Sequence, residues 1–323
     1  MAVPTGTYQT YTAIGLREDL SDVIFDITPT DTPLLSSASR NTASAVLHEW
    51  QTDSLSAAAV NSQIEGDDAN TSTASPTSRL GNYTMISTKV PRVTGTLQSV
   101  NAAGRANSMS YELSKRGREL KRDMETALTA AQAGSAGGAG TARVLAGMGA
   151  WLSTNQVQQG AAATTPATSS GVPGTAPTAG TAGTFTEANL KAVVKSCWDN
   201  GGDPTVIMCG SFNKQTASGF GGIGTQYRDA QPDGPLKPGS IVGSASVYIS
   251  DFSEHQIVAN RFQPAATVYA LDMDYWCVSY LRPIQTEELA KTGDSQRSML
   301  ITEYTLESKN EAASGKIYTT TTS

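Results

Sequence analysis

Two extended stretches, Ala45-Val-Leu-His-Glu-Trp-Gln-Thr52 and Tyr83-Thr-Met-Ile-Ser-Thr-Lys-Val90, flank a polar run, and their reading decides the fold. In the first, Val46, His48, Trp50 and Thr52 alternate with Leu47, Glu49 and Gln51, the period of a strand covered on one face. Extended structure is expected over Ala45–Val60. It is expected again over Tyr83–Val100, where Ile86, Thr88, Val90, Val93, Thr94 and Thr96 are β-branched. Between them, Asn61 to Asn82 is mostly Asp, Asn, Ser, Thr, Gly and Pro, with almost nothing to bury. Such long connections are uncommon in compact domains, and a two-stranded arm alone is marginal in water. Residues 45–100 therefore predict a projecting hairpin that needs another surface to lie on.

Toward the N-terminus, Leu16, Leu20, Val23, Ile24 and Ile27 fall on one helical stripe that Thr28-Pro29 ends. Toward the C-terminus, Ser108 to Gln132 predicts the longest helix, with Ser108 as cap and Gly134 as stop. Met109, Leu113, Leu120, Met124 and Leu128 mark its apolar stripe. The charged residues Lys115, Arg116, Arg118, Glu119, Lys121, Arg122, Asp123 and Glu125 read as a solvated face rather than a nucleic-acid surface. Gln159 to Thr184 is nearly all Ala, Thr, Gly, Ser and Pro, the composition of a surface insertion or linker. Thr186 then caps a second helix whose inner face is Leu190, Val193, Val194, Cys197 and Trp198, with Phe185 placed to staple it. A strand at Thr205–Cys209, a helix at Ser211–Ser218 and a Gly/Pro-rich loop at Gly219–Gly239 follow. Strands are expected at 246–249, 256–258, 267–271, 276–281 and 298–307.

Composition excludes several classes of function. Of 323 residues only 16% are charged, against a usual ~25%, and the net charge is -6. An acidic chain is not built to wrap nucleic acid through a basic face. The longest apolar stretch, Val144 to Leu152, is far shorter than a membrane span. The first ten residues have the pattern of no signal peptide. Cys197, Cys209 and Cys277 form no C-x-x-C and read as buried thiols in a reducing compartment.

Ser211-Phe-Asn-Lys214, Ser250-Asp251 and Lys291-Thr-Gly293 follow the S-x-x-K, S-D-N and K-T-G order of serine β-lactamases. That makes an acyl-transfer enzyme using Ser211, Lys214 and Lys291 the rival reading. Against it, Phe252 replaces the Asn, and Lys291 sits where a turn is expected rather than a strand edge. Gly219-Phe-Gly-Gly-Ile-Gly224 spells G-x-G-x-x-G but follows a helix, not the strand a dinucleotide site requires. His48 and His255 have no second ligand at metal spacing, so both are expected to be structural. No metal or cofactor is expected.

Arg17-Glu-Asp-Leu-Ser-Asp22, Thr28-Pro-Thr-Asp-Thr-Pro33 and His48-Glu-Trp-Gln-Thr-Asp53 are followed by Arg261-Phe262, Tyr280-Leu-Arg-Pro283, Leu289-Ala-Lys-Thr-Gly-Asp294 and Glu303-Tyr-Thr-Leu-Glu307. In this order, from about Leu16 to about Lys316, they resemble the major capsid proteins of tailed bacteriophages. The resemblance implies an α+β chain of the Hong Kong 97-type fold. Its parts would be an N-terminal arm (1–44), an extended loop (45–100), and a peripheral domain (101–202) with spine helix 108–132 and insertion 159–184. An axial domain (203–271) and return strands with a tail (272–323) would complete it. It also implies a non-enzymatic protein that self-assembles, as pentamers and hexamers, into an icosahedral shell around double-stranded DNA. Portal, scaffold and decoration proteins would be further partners, with the host cytoplasm the place of assembly and the virion the destination. Inter-subunit contacts are expected at Trp50, Ile64, Glu65, Asp67, Asp68, Tyr83, Arg92, Phe220 and Tyr227. Crosslinking through Lys89, as in some such shells, is not carried over, because no activating carboxylate is expected near it. Another virion or surface-layer protein is the remaining alternative.

Overall fold

The computed structural model describes residues 6–7, 28–66, 68, 74–158, 165–169, 171–220, 246–318 and 320–322. The helix expected at Leu16–Ile27, the contact candidates Asp67 and Tyr227, and most of the Gly/Pro-rich loop lie outside them. Along the chain come α1 (Pro33–Ser37), β1 (Ser39–Thr42), β2 (Leu47–Thr52), β3 (Ser78–Tyr83), β4 (Met85–Lys89), β5 (Arg92–Thr94), α2 (Gly95–Ser99) and α3 (Ser108–Thr129). Next are α4 (Met148–Trp151), β6 (Gln156–Gln158), β7 (Ala167–Ser169), β8 (Val172–Thr175), α5 (Glu187–Asp199), β9 (Val206–Cys209) and α6 (Ser211–Ser218). The last strands are β10 (Val247–Ile249), β11 (Glu254–Ala259), β12 (Thr267–Leu271), β13 (Trp276–Leu289), β14 (Ser295–Ser308) and β15 (Gly315–Tyr318).

Two sheets organise the molecule. The first is framed by the antiparallel pair β13 and β14, in the order β1-β13-β14-β4, with β5 also pairing along β14. The second runs β10-β11-β9-β12-β15-β6. Its central strands are covered on both faces. Ile207, Cys209, Val268 and Ala270 pack with Leu190, Val193, Val194 and Cys197 of α5. The alternate residues Met208, Tyr269 and Leu271 join a larger core with Met124 and Leu128 of α3, Trp151, and Tyr304 and Leu306 of β14. Strands buried on both sides read as unbroken apolar runs, which is how Thr205–Cys209 and Thr267–Leu271 read. Cys197 is a core residue, and all three cysteines are free and buried.

The helix α3 is 22 residues, about 33 Å long at its ~1.5 Å rise. Its cap is Asn107, whose side-chain oxygen accepts from Ser110 N–H at 2.9 Å, one residue earlier than the expected Ser108. It ends at Ala130, which turns extended, before the expected stop at Gly134.

Four other expectations are corrected. Extended structure does not run through Val100: Thr94 Oγ1 accepts from Leu97 N–H and starts the short α2. Nor do β4 and β5 continue the hairpin, since both pair with β14. The low-complexity insertion is not merely a linker. Its β7 and β8 form a small hairpin that buries Val172 and Pro173, and Gly171 O accepts from Gly81 N–H of β3. Glu125 is not solvated: it is fully buried and accepts from Leu34 N–H (2.8 Å), Leu35 N–H (2.9 Å) and Asn260 Nδ2 (2.7 Å). Burial pushes its carboxyl above the ordinary value while those three donors oppose the shift. Through Glu125 the segment entering β1 is clasped to α3 from 90 residues away.

Candidate assembly surface

The hairpin β2–β3 is rooted on β14, whose side chains alternate between two jobs. Tyr304 and Leu306 point into the larger core, while Glu303, Thr305 and Glu307, on the opposite side of the strand, hold the root. Glu303 accepts from Thr84 Oγ1 at 2.9 Å and from Arg282 Nε at 3.0 Å, and pairs with Arg143. Thr305 Oγ1 donates to Tyr83 O at 2.9 Å. Glu307 accepts from Ser279 Oγ (2.9 Å) and Asn41 Nδ2 (3.4 Å), and meets His48 Nε2 at 3.1 Å. Burial alone would raise the Glu307 carboxyl, but those hydrogen bonds outweigh it and hold the group below its ordinary value.

Asn82 completes the root. Its amide donates to Ala146 O (3.0 Å) and Leu306 O (2.8 Å), and its carbonyl accepts from Ala146 N–H (2.8 Å). Trp50 Nε1 donates to Ser308 O at 2.9 Å, and its ring packs on Trp151 with centroids 5.4 Å apart. A two-stranded ribbon is thereby fixed at one end to a rigid sheet.

Beyond Thr52 the chain leaves the subunit's own surface. Leu55 is 99% exposed, Val60 95% and Ile64 78%, and none belongs to either core. Glu65 and Asp68 are exposed beside them. Single exposed apolar residues are ordinary; three large ones within ten residues of a span without regular secondary structure are apolar surface lacking a partner within the described chain. The extended structure expected over Ala45–Val60 stops at Thr52, so Leu55 and Val60 lie on no strand face and nothing in their spacing marks them as contacts.

The remaining contact candidates are not brought together. Trp50 and the half-buried Tyr83 lie at the root. Arg92 lies along β5, its Nε donating to Ser295 Oγ at 2.9 Å. Phe220 packs edge-on against Phe185 in the smaller core, centroids 5.1 Å apart.

The acyl-transfer reading fails on placement. Ser211 and Lys214 are on α6 against the second sheet, where Lys214 Nζ donates to Ile257 O at 2.7 Å. Lys291 is in the turn between β13 and β14 of the first sheet. Both histidines are structural: the buried His255 lies between Pro204 O and Ser250 Oγ, and His48 holds Glu307. Lys89 does have a carboxylate beside it, Asp123 Oδ2 at 2.6 Å, so β4 is ion-paired to α3.

Comparison with known proteins agrees with this architecture. The sequence profile of a family described as SU10 major capsid protein matches residues 3–322. The major capsid protein of Escherichia phage Phieco32 is 25% identical, with 99% of this chain and 98% of that protein covered. Among solved structures, the cyanophage A-1(L) capsid superposes with a TM-score of 0.65 at 13% identity, covering 97% of this chain and 98% of that one. The capsid of a native GTA particle does so with a TM-score of 0.60 at 14% identity, over 97% and 98% of the two chains.

Proposed function

The chain belongs to the SU10 major capsid protein family, and from that premise we propose that its hairpin is the limb by which each subunit grips a neighbour. The protein is a major capsid protein of a tailed phage, with the Hong Kong 97-type fold, and it forms the virion's shell from repeated copies of itself. The observation that carries the reading is the contrast between a root tied down through Asn82, Glu303 and Glu307 and a span exposing Leu55, Val60 and Ile64. Burying such side chains contributes roughly 1.5–3 kcal/mol each, so a neighbour's surface gives the limb the core its own subunit withholds.

Head-to-tail contacts of this kind close into rings, here pentamers and hexamers. Contacts weak individually become strong when each subunit engages several partners. Ile64, Glu65, Asp67 and Asp68 are the contacts at the limb's tip, with Trp50 and Tyr83 setting its exit angle; Arg92, Phe220 and Tyr227 are further contact candidates. In this reading residues 1–44 are the arm, 45–100 the extended loop, 101–202 the peripheral domain, 203–271 the axial domain and 272–323 the return strands and tail. The protein works without catalysis. Its acidic balance leaves packaged double-stranded DNA with at most weak contact, and portal, scaffold and decoration proteins meet the shell as it is built in the host cytoplasm.

Deleting 57–78 tests the proposal. The subunit is expected to keep its folded spectrum while electron microscopy shows no closed shells; normal shells from the deletion overturn it.

A further inference from the structure

Lys316, on β15, is the only lysine or arginine buried among the described residues, at 1% exposure. Its Nζ donates to Gly149 O at 2.7 Å and lies 4.8 Å from the centre of the Tyr318 ring. An ammonium has two further N–H groups, and Lys316 forms no ion pair among the described residues. Glu311, the carboxylate whose charge reaches it, is occupied by Ser153 and Thr154. Burial lowers the amine to about 7 despite Glu311.

Lys316 borders a cavity. Lys316, Gly149 and Tyr318 all line a space of about 190 Å³, whose other walls include Ala131, Pro177 and Tyr269. It adjoins a second space of about 310 Å³ through Ala179 and Ala266. Gly149 has no room for a side chain: a Cβ there would stand 2.8 Å from Ala131. That close approach lets its carbonyl reach the lysine. The Tyr269 hydroxyl is engaged with Thr129 O at 2.8 Å, leaving Lys316 as the group able to fix a charged ligand.

An apolar cavity of about 150 Å³ holds a six-carbon ring, so this one takes roughly six or seven non-hydrogen atoms. A neutral apolar guest would leave the amine dry and under-bonded. A dianion such as phosphate would need more than one cation to leave water. We propose that the cavity binds a carboxylate on a short apolar stem, with the carboxylate on Lys316 and the stem against Ala131, Pro177 and Tyr269. This site goes beyond the role in the shell and does not depend on it.

The test is calorimetric titration of pentanoate, with pentanamide as the neutral isostere, into full-length protein both as dispersed subunits and as closed shells. Saturable pentanoate binding is expected, on the order of tenfold tighter than pentanamide, because a charge-assisted contact contributes about that much. Lys316→Met is expected to lose the preference for the charged ligand. Ala179→Leu, at an exposed loop position, fills the mouth, keeps the lysine, and is expected to lose binding even if the first variant does not fold. Binding to subunits but not shells assigns the carboxylate to an Asp or Glu of a second copy; binding to both assigns it to a free small molecule. No saturable binding, equal binding of acid and amide, or binding untouched by Ala179→Leu overturns the proposal.

Discussion

The root of the hairpin and its free span are consecutive in sequence and treat their side chains oppositely. At the root, Asn82 uses both ends of its amide on buried backbone groups, and Glu303 and Glu307 each collect three partners. On the span, Leu55, Val60 and Ile64 touch neither core. A root tied down by hydrogen bonds and a span of exposed apolar side chains are what a subunit needs to reach across to a neighbour without losing its own fold. A floppy root would cost ordering entropy at every contact made, and a satisfied span would have no reason to bind.

Replacing Leu55, Val60 and Ile64 together by Ser should separate the two halves most clearly. The concentration needed for shells should rise by about a hundredfold or more, the equivalent of roughly 3 kcal/mol, with little change in the melting temperature. Light scattering against concentration reads this, and unchanged assembly would break the comparison. At the root the effect should fall on folding instead. Asn82→Ala leaves Ala146 N–H and two carbonyls unpaired and should cost about 3 kcal/mol in urea unfolding; a loss well under 1 kcal/mol would show that the root is not rigid through this residue.

A smaller effect is expected beneath the hairpin. Gly171 has φ +81°, and a side chain there would meet the Arg79 carbonyl of β3, so Gly171→Val should cost about 1–2 kcal/mol. A neutral result would mean that the insertion does not support the root. The smallest is a pH effect. The Glu307 carboxyl is held below its ordinary 4.5, so its contribution is complete above that pH and lost as pH falls through its native value. Glu307→Gln should flatten stability against pH below about 4.5 and leave the curve near neutrality parallel to the wild type.

Much of this was legible in the residues. The stripe of α3, the cap of α5 and its face apart from Trp198, which is 55% exposed, the helix at Ser211–Ser218 and the strand Thr267–Leu271 follow from local periodicity, because their neighbours in space are also neighbours in pattern. The stretch Glu303-Tyr-Thr-Leu-Glu307 alternates polar and apolar, and that alternation is the dock of the hairpin root on one face and the core on the other. The burial of Glu125 was not legible. Nothing local distinguishes it from its charged neighbours on α3; its donors come from Leu34, Leu35 and Asn260, about 90 and 135 residues away. Nor could composition show that the insertion pairs with itself beneath β3, since Ala, Thr and Gly carry little periodic signal.

From its own order of residues the chain determined the helices α3, α5 and α6 and the strand Thr267–Leu271, that the polar run after Thr52 has little to bury, and that its charge is too low and too acidic for a basic nucleic-acid face. These are short-range or summed properties. Where the hairpin stops pairing with itself and passes to β14, which carboxylates are solvated and which clasp distant backbone, and that Lys316 faces a cavity were settled only by tertiary contacts. The reason is physical: a polar side chain's burial depends on donors that folding brings from elsewhere, and their positions along the chain leave no local trace.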